Sequence, residues 1–173
     1  LINDILMISR LEAKDAEVVM TDVRISVLLE EIMDSLKPQA ASSQVFMHVD
    51  CQPLCIKANV QQIKELLTNL LSNAVKYNHP GGQVWINIRE QDDNMVIRVR
   101  DNGMGIPEES LDRIFERFYR VDKGRSRKQG GTGLGLSIVK HIVNFYHGTI
   151  HVTSRLEQGT EFVVSLPLNR CEK

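Results

Sequence analysis

Apolar residues recur every third or fourth position in some stretches of this chain and every second position in others. The strongest helical signal is 60–77, where Val60, Ile63, Leu66, Leu67, Leu70, Leu71 and Ala74 make a broad apolar stripe. "VLLEEIMDSLKPQA" predicts a second helix, with Leu28, Leu29, Ile32, Met33 and Leu36 on one face, and "LGLSIVKHIVNFYH" a third. A shorter helix is expected over "ESLDRIFERFYR". At the start, "LINDILMISRLEAK" carries Leu1, Ile5 and Ile8 beside Ile2, Leu6 and Leu11. That segment reads as the stub of a longer helix, because a helix this short is unstable alone. Period-two alternation in "VWINIRE" and "MVIRVRD", on either side of "QDDN", predicts a hairpin. "TIHVTS" and "EFVVSLPL" around "RLEQG" predict another, "VFMHVD" and "LCIKAN" a third and shorter one, and 17–25 a further strand. Helices interleaved with hairpin-linked strands make this an α/β chain. The expected architecture is a two-layer sandwich, a mixed and mainly antiparallel sheet packed against three helices.

Composition narrows the picture. The 173 residues suit one domain, here 17–173, with 1–16 as an appendage, and 42% hydrophobic with 25% charged residues is ordinary for a globular chain. A net charge of −1 argues against nucleic acid as a partner. No apolar run reaches the ~18 residues of a membrane span. Cys51, Cys55 and Cys171 lack metal-ligand spacing and are expected to be free thiols in a reducing compartment. The first residue is Leu1 rather than Met, which suggests a fragment of something longer.

Four segments carry candidate chemistry. "GGTGLGLSIV" packs four glycines into six residues at a helix start. It lacks the Lys-Ser/Thr of a P-loop, and its spacing is GxGxG rather than GxGxxG. Such a loop is either mobile or a cradle where backbone N–H groups and the helix dipole meet an anion. In "DNGMGIP", Asp101 ends a strand, and its carboxylate can accept from an exocyclic amine such as adenine's or simply be solvated in a turn. On the 60–77 helix, Asn69, Asn73 and Lys76 form a polar stripe at i, i+4, i+7. Asparagine is a poor helix former, and amide oxygens suit a hard cation that shares its ligands with phosphates. Lys123, Arg125, Arg127 and Lys128, just before the glycines, are either a solvated loop or a charged lid.

The order of these segments resembles one family. "NLLSNAVKY" is similar to its N box, "DNGMGIP" to its first glycine box, "FERFYR" to its F box and "GGTGLGLSIV" to its second glycine box. The family is the GHKL (Bergerat) ATP-binding fold, and within it the catalytic domain of bacterial sensor histidine kinases of the PhoR/WalK-like kind. The resemblance runs from about residue 22 to 168. It implies binding of ATP and Mg²⁺, with Asp101 accepting from the adenine amino group and Thr160 of "QGTEF" supporting it. Gly103, Gly105 and Ile106 would pass the base, and Tyr77 would pack near the ribose or base. Asn73 would be the Mg²⁺ ligand, with Asn69, Lys76 and Arg120 acting on the phosphates. Thr132, Gly133, Leu134, Gly135 and Leu136 would form the cradle, and Phe115 and Phe118 would anchor a lid over 121–131.

Hydrolytic members of the fold carry a Glu where this chain has Asn69, so the resemblance favours transfer to a protein acceptor over hydrolysis. A serine kinase of the same fold and a degenerate binding domain are the competing readings. None of His48, His79, His141, His147 and His151 stands in the family's phosphoacceptor context. The resemblance therefore implies an acceptor His in a dimerisation domain that "LINDILMISRLEAK" would end, and a response regulator as onward partner. It also implies a homodimeric whole protein, membrane-anchored, with this domain in the cytoplasm.

Overall fold

The computed structural model describes residues 18–121 and 131–171. The expected entry helix over 1–16 and most of the expected lid, with Lys123, Arg125, Arg127 and Lys128, lie outside the described residues. In chain order the elements are β1 (Thr21–Arg24), α1 (Ile25–Ser42), β2 (Phe46–Cys51), β3 (Cys55–Ala58), α2 (Val60–Lys76), β4 (Gln83–Gln91) and β5 (Asn94–Asp101). A single 3-10 turn (Glu108–Ser110) follows, then α3 (Gly135–Phe145), β6 (Thr149–Arg155) and β7 (Gly159–Pro167). Five strands form one sheet in the order β2-β4-β5-β7-β6, and β1 and β3 pair separately. Every neighbour in the large sheet is antiparallel except β2 and β4.

Each element follows from local chemistry. Asn59 starts α2, its side-chain oxygen accepting from the Gln62 N–H at 3.0 Å, a normal N-cap. Ile63, Leu66, Leu67, Leu70 and Leu71 are essentially inaccessible, each stabilising the fold by roughly 1.5–3 kcal/mol. α2 lies in the middle of the helical layer and packs on both α1 and α3. Between β4 and β5, Asp92 and Asp93 both take positive φ (50° and 57°), the two-residue turn whose twist suits a hairpin. α3 ends at Tyr146, after which His147 turns left-handed and Gly148 N–H reaches back to Val143 O at 2.8 Å.

Three expectations need correction. β2 and β3 are not a hairpin: β2 runs parallel to β4, while β3 pairs antiparallel with β1. Only three residues, Gln52–Leu54, separate them, and the chain uses these to leave one sheet for the other. The short helix expected over "ESLDRIFERFYR" is a 3-10 turn followed by non-helical turns. Phe118 there takes φ 62°, which no continuing right-handed helix accommodates. Finally, the cysteines are not all free. Cys55 at the start of β3 and Cys171 form a disulfide, with Cα atoms 5.6 Å apart and a separation of 116 positions in sequence. Cys51 alone is a free thiol.

Candidate functional site

The C-terminal half of α2, the loop after β5, the loop before α3 and the end of the β6–β7 hairpin converge on one side of the helical layer. Asp101 closes β5 with its side chain turned to the interior, 9% exposed. One carboxylate oxygen accepts from the Gly103 N–H at 2.8 Å, and the Thr160 backbone N–H also donates to it. Burial outweighs these bonds and raises the carboxyl from 3.8 to about 6. Between those two values the native state holds a proton that the unfolded chain has released. The stability contributed by this group therefore falls as pH rises through that window. Allowing for its residual contact with water, keeping Asp101 ionised costs the nucleotide-free fold about 1–2 kcal/mol.

Around Asp101 the backbone folds tightly. Gly105 takes φ +69° and lies against the Arg155 carbonyl, so only glycine fits there. Ser154 on β6 ties the pocket together. Its hydroxyl donates to Gly159 O (2.9 Å), accepts from Ile106 N–H (2.8 Å) and hydrogen-bonds the Thr160 hydroxyl at 2.8 Å. Thr160 is itself buried beside Asp101. Sequence reasoning missed Ser154, although it stands directly opposite Thr160 in the β6–β7 register.

Further along α2 the chemistry turns cationic. Lys76 Nζ, Tyr77 OH and Arg120 Nη2 gather around Gly131, within 2.5, 3.5 and 3.8 Å of where a Cβ would lie. Lys76 Nζ also sits 5.2 Å above the Tyr77 ring. Burial and then the neighbouring Arg120 lower the Lys76 pKa, and burial raises that of Tyr77. Arg120 Nε and Nη2 are buried and have no hydrogen-bond partner among the described residues. A guanidinium in this position, next to a second cation, is short of an anion.

The glycine loop completes the surface. Gly133 has φ +73°, and its carbonyl accepts from the Phe118 N–H at 2.9 Å. Phe118 thus joins the loop through its backbone, with the ring 63% exposed, whereas the Phe115 ring packs edge-on against Phe162. Thr132 Oγ1 accepts from Leu134 N–H at 3.4 Å, and Leu134, fully buried at the N-cap of α3, makes no side-chain cap bond. Leu136 packs against the core.

Asn69 Nδ2 donates to Glu65 O at 2.8 Å, which turns its Oδ1 toward Gly135, 2.6 Å from a Cβ there. One turn later, the half-buried Asn73 side chain makes no hydrogen bond among the described residues. The structure therefore brings Asn69, Asn73, Lys76, Tyr77, Arg120 and Gly131–Leu136 together on one flank, with Asp101, Gly103, Gly105, Ile106 and Thr160 on the other. No cluster of three or more acidic, His or Cys side chains able to hold a metal occurs among the described residues. Asn73 alone suits only a cation held mainly by its own ligand's oxygens and by water.

The family described as histidine kinase-, DNA gyrase B- and HSP90-like ATPase matches residues 58–170. The sensor histidine kinase WalK of Bacillus subtilis is 35% identical over 170 residues, 96% of this chain and 28% of that protein. The sensor protein kinase WalK of Staphylococcus saprophyticus is 34% identical over 169 residues, with the same two coverages. The chain thus spans about a quarter of the length of these relatives. Among solved structures, full-length ShkA in complex with AMPPNP superposes with a TM-score of 0.84 at 28% identity, over 99% of this chain and 36% of that one.

Proposed function

Because the chain belongs to the family of histidine kinase-, DNA gyrase B- and HSP90-like ATPases, as their sensor histidine kinase catalytic domain, we propose that its cationic flank is the phosphate end of an ATP site. The observation that carries this is Arg120, whose buried Nε and Nη2 lack an anion beside Lys76. The triphosphate would lie across Lys76, Arg120 and the uncapped start of α3. Backbone N–H groups of Gly133, Leu134, Gly135 and Leu136 would share its charge there. Asp101 would accept from the adenine amino group, held by Thr160, Ser154 and the turn through Gly103, Gly105 and Ile106. Tyr77 would flank the sugar. Asn69 and Asn73 would face the phosphates, with Asn73 supplying a ligand to Mg²⁺. That ion would neutralise charge on the phosphate oxygens.

Transfer rather than hydrolysis is the reaction that fits. Position 69 offers an amide where a water-activating base would stand, and the carboxylate one turn back, Glu65, is engaged by the Gln61 side chain at 3.0 Å. The acceptor would be a histidine of the protein's own phosphoacceptor domain, and the product would serve a response regulator. The whole protein would be a homodimeric, membrane-anchored bacterial sensor kinase with this domain on the cytoplasmic side. Among the described residues no helix is long and apolar enough to cross a membrane.

Mixed with γ-labelled ATP and a separate phosphoacceptor domain, this chain should label that domain in acid-labile form while its own five histidines stay unlabelled. Replacing Asn73 by Ala should slow that transfer at least about a hundredfold. Stoichiometric labelling of the chain itself would refute the division into donor and acceptor. The pH dependence of binding gives a second test. A bound adenine amine favours ionised Asp101, so binding below pH 6 releases its proton. Affinity for ATP should therefore fall by up to about tenfold per unit as pH drops below about 6. Calorimetric titration between pH 5 and 8 reads this directly, and a flat profile would count against Asp101 as the base acceptor.

A further inference from the structure

At the far end of α2 from the phosphate flank, the chain's last described residues form an extra rung on the small sheet. Lys57 N–H donates to Asn169 O at 2.6 Å, Arg170 bridges to Ile56, and Cys171 N–H meets Cys55 O at 3.4 Å. Arg170 also pairs with Glu90 and Asp93, both contacts lying in solvent and worth little alone. The tail so held walls an apolar hollow of about 350 Å³, in which Leu168 and Asn169 face Ile56, Ile63, Met95 and Leu166. Besides the Cys55–Cys171 bond, this wall is fastened by those two backbone bonds, by Leu168, whose N–H donates to Asp93 O at 2.9 Å and whose side chain packs against the core, and by the Arg170 ion pairs.

We propose that Cys55–Cys171 is a thiol–disulfide exchange site for a dithiol reductant, and that its reduction releases the tail and opens the hollow. Neither cysteine is fully buried, so a small dithiol can reach the bond. One thiolate of the reductant attacks a sulfur of the pair to give a mixed disulfide, and the freed cysteine takes up a proton. The second thiol then displaces the other cysteine. Two electrons pass to the protein, which ends with two thiols, and the reductant ends as its cyclic disulfide. Cys51 stays outside the exchange: burial, with Asp50 beside it, keeps its thiol protonated.

Thiol titration and hydrogen exchange on the same samples test this. After equilibration in air, the denatured chain should show one reactive thiol, and after dithiothreitol, three. Reduction should speed amide exchange at Lys57, Leu168 and Cys171, whose N–H groups hold the tail in place, at least about tenfold, and Cys171→Ser should match the reduced protein without reductant. Exchange in β5 should not change. ATP affinity should also hold within about twofold, because α2 separates the two regions. Three reactive thiols in the air-equilibrated chain would overturn the proposal. So would equal tail exchange in oxidised and reduced protein.

Discussion

Arg120→Met should make the nucleotide-free domain more stable while cutting its affinity for ATP by about 30- to 5,000-fold. Both signs come from the same two nitrogens. Without an anion, Nε and Nη2 are buried donors with no partner, next to the depressed Lys76. Methionine keeps much of the aliphatic stem and removes the charge, which should raise stability by about 1 kcal/mol. With ATP bound, the guanidinium would be part of a buried charge pair, and truncating one partner of such a pair costs about 2–5 kcal/mol. Adenosine, which has no phosphates, should bind the variant within about twofold of the parent. Chemical denaturation and paired titrations with ATP and adenosine check all three values. If stability falls, or if both ligands weaken together, Arg120 is a structural residue and the phosphate end has been misplaced.

Asp101→Ala should instead weaken ATP and adenosine alike, by about 10- to 150-fold, since it removes a charge-assisted hydrogen bond of about 1.5–3 kcal/mol to the base. Its effect on the empty fold should be small. The substitution orphans the Gly103 and Thr160 N–H groups but also removes a carboxylate whose burial is unfavourable. Asp101→Asn should fall between the two for both ligands, because an amide oxygen still accepts but carries no charge. A titration in which Asp101→Ala weakens ATP but leaves adenosine unchanged would move the base elsewhere. Together the two variants separate the ends of the ligand: one should discriminate ATP from adenosine and the other should not.

What the sequence made legible is what local periodicity and ordered motifs can carry. The stripe from Ile63 to Ala74 marks α2 because every third or fourth residue is buried, and the alternation in β4 and β5 follows from a sheet with helices on one face. The Asn69–Asn73–Lys76 spacing and the glycine loop are local patterns, and the structure brings Lys76 to Gly131 and Asn69 to Gly135. Long-range facts were not legible. No local signal separates a hairpin from two strands that join different sheets, as β2 and β3 do. Phe118 breaks the expected helix by a backbone bond to Gly133, a contact across fifteen positions. Cys55 and Cys171 lie 116 positions apart in sequence and meet only because β3 and the tail pair. Ser154 went unnoticed for a similar reason. A serine in an alternating strand carries no signal until its register sets it opposite Thr160.

If ATP lies between the turn after β5 and the start of α3, amide hydrogen exchange with and without Mg²⁺ and ATP will register it at both places. Exchange should slow at Gly103–Ile106, around the base, and at Gly133–Leu136, around the phosphates. It should not change at the outer residues of β6 or at the tail on β3. Unchanged exchange at both glycine segments in the presence of saturating nucleotide would contradict that placement.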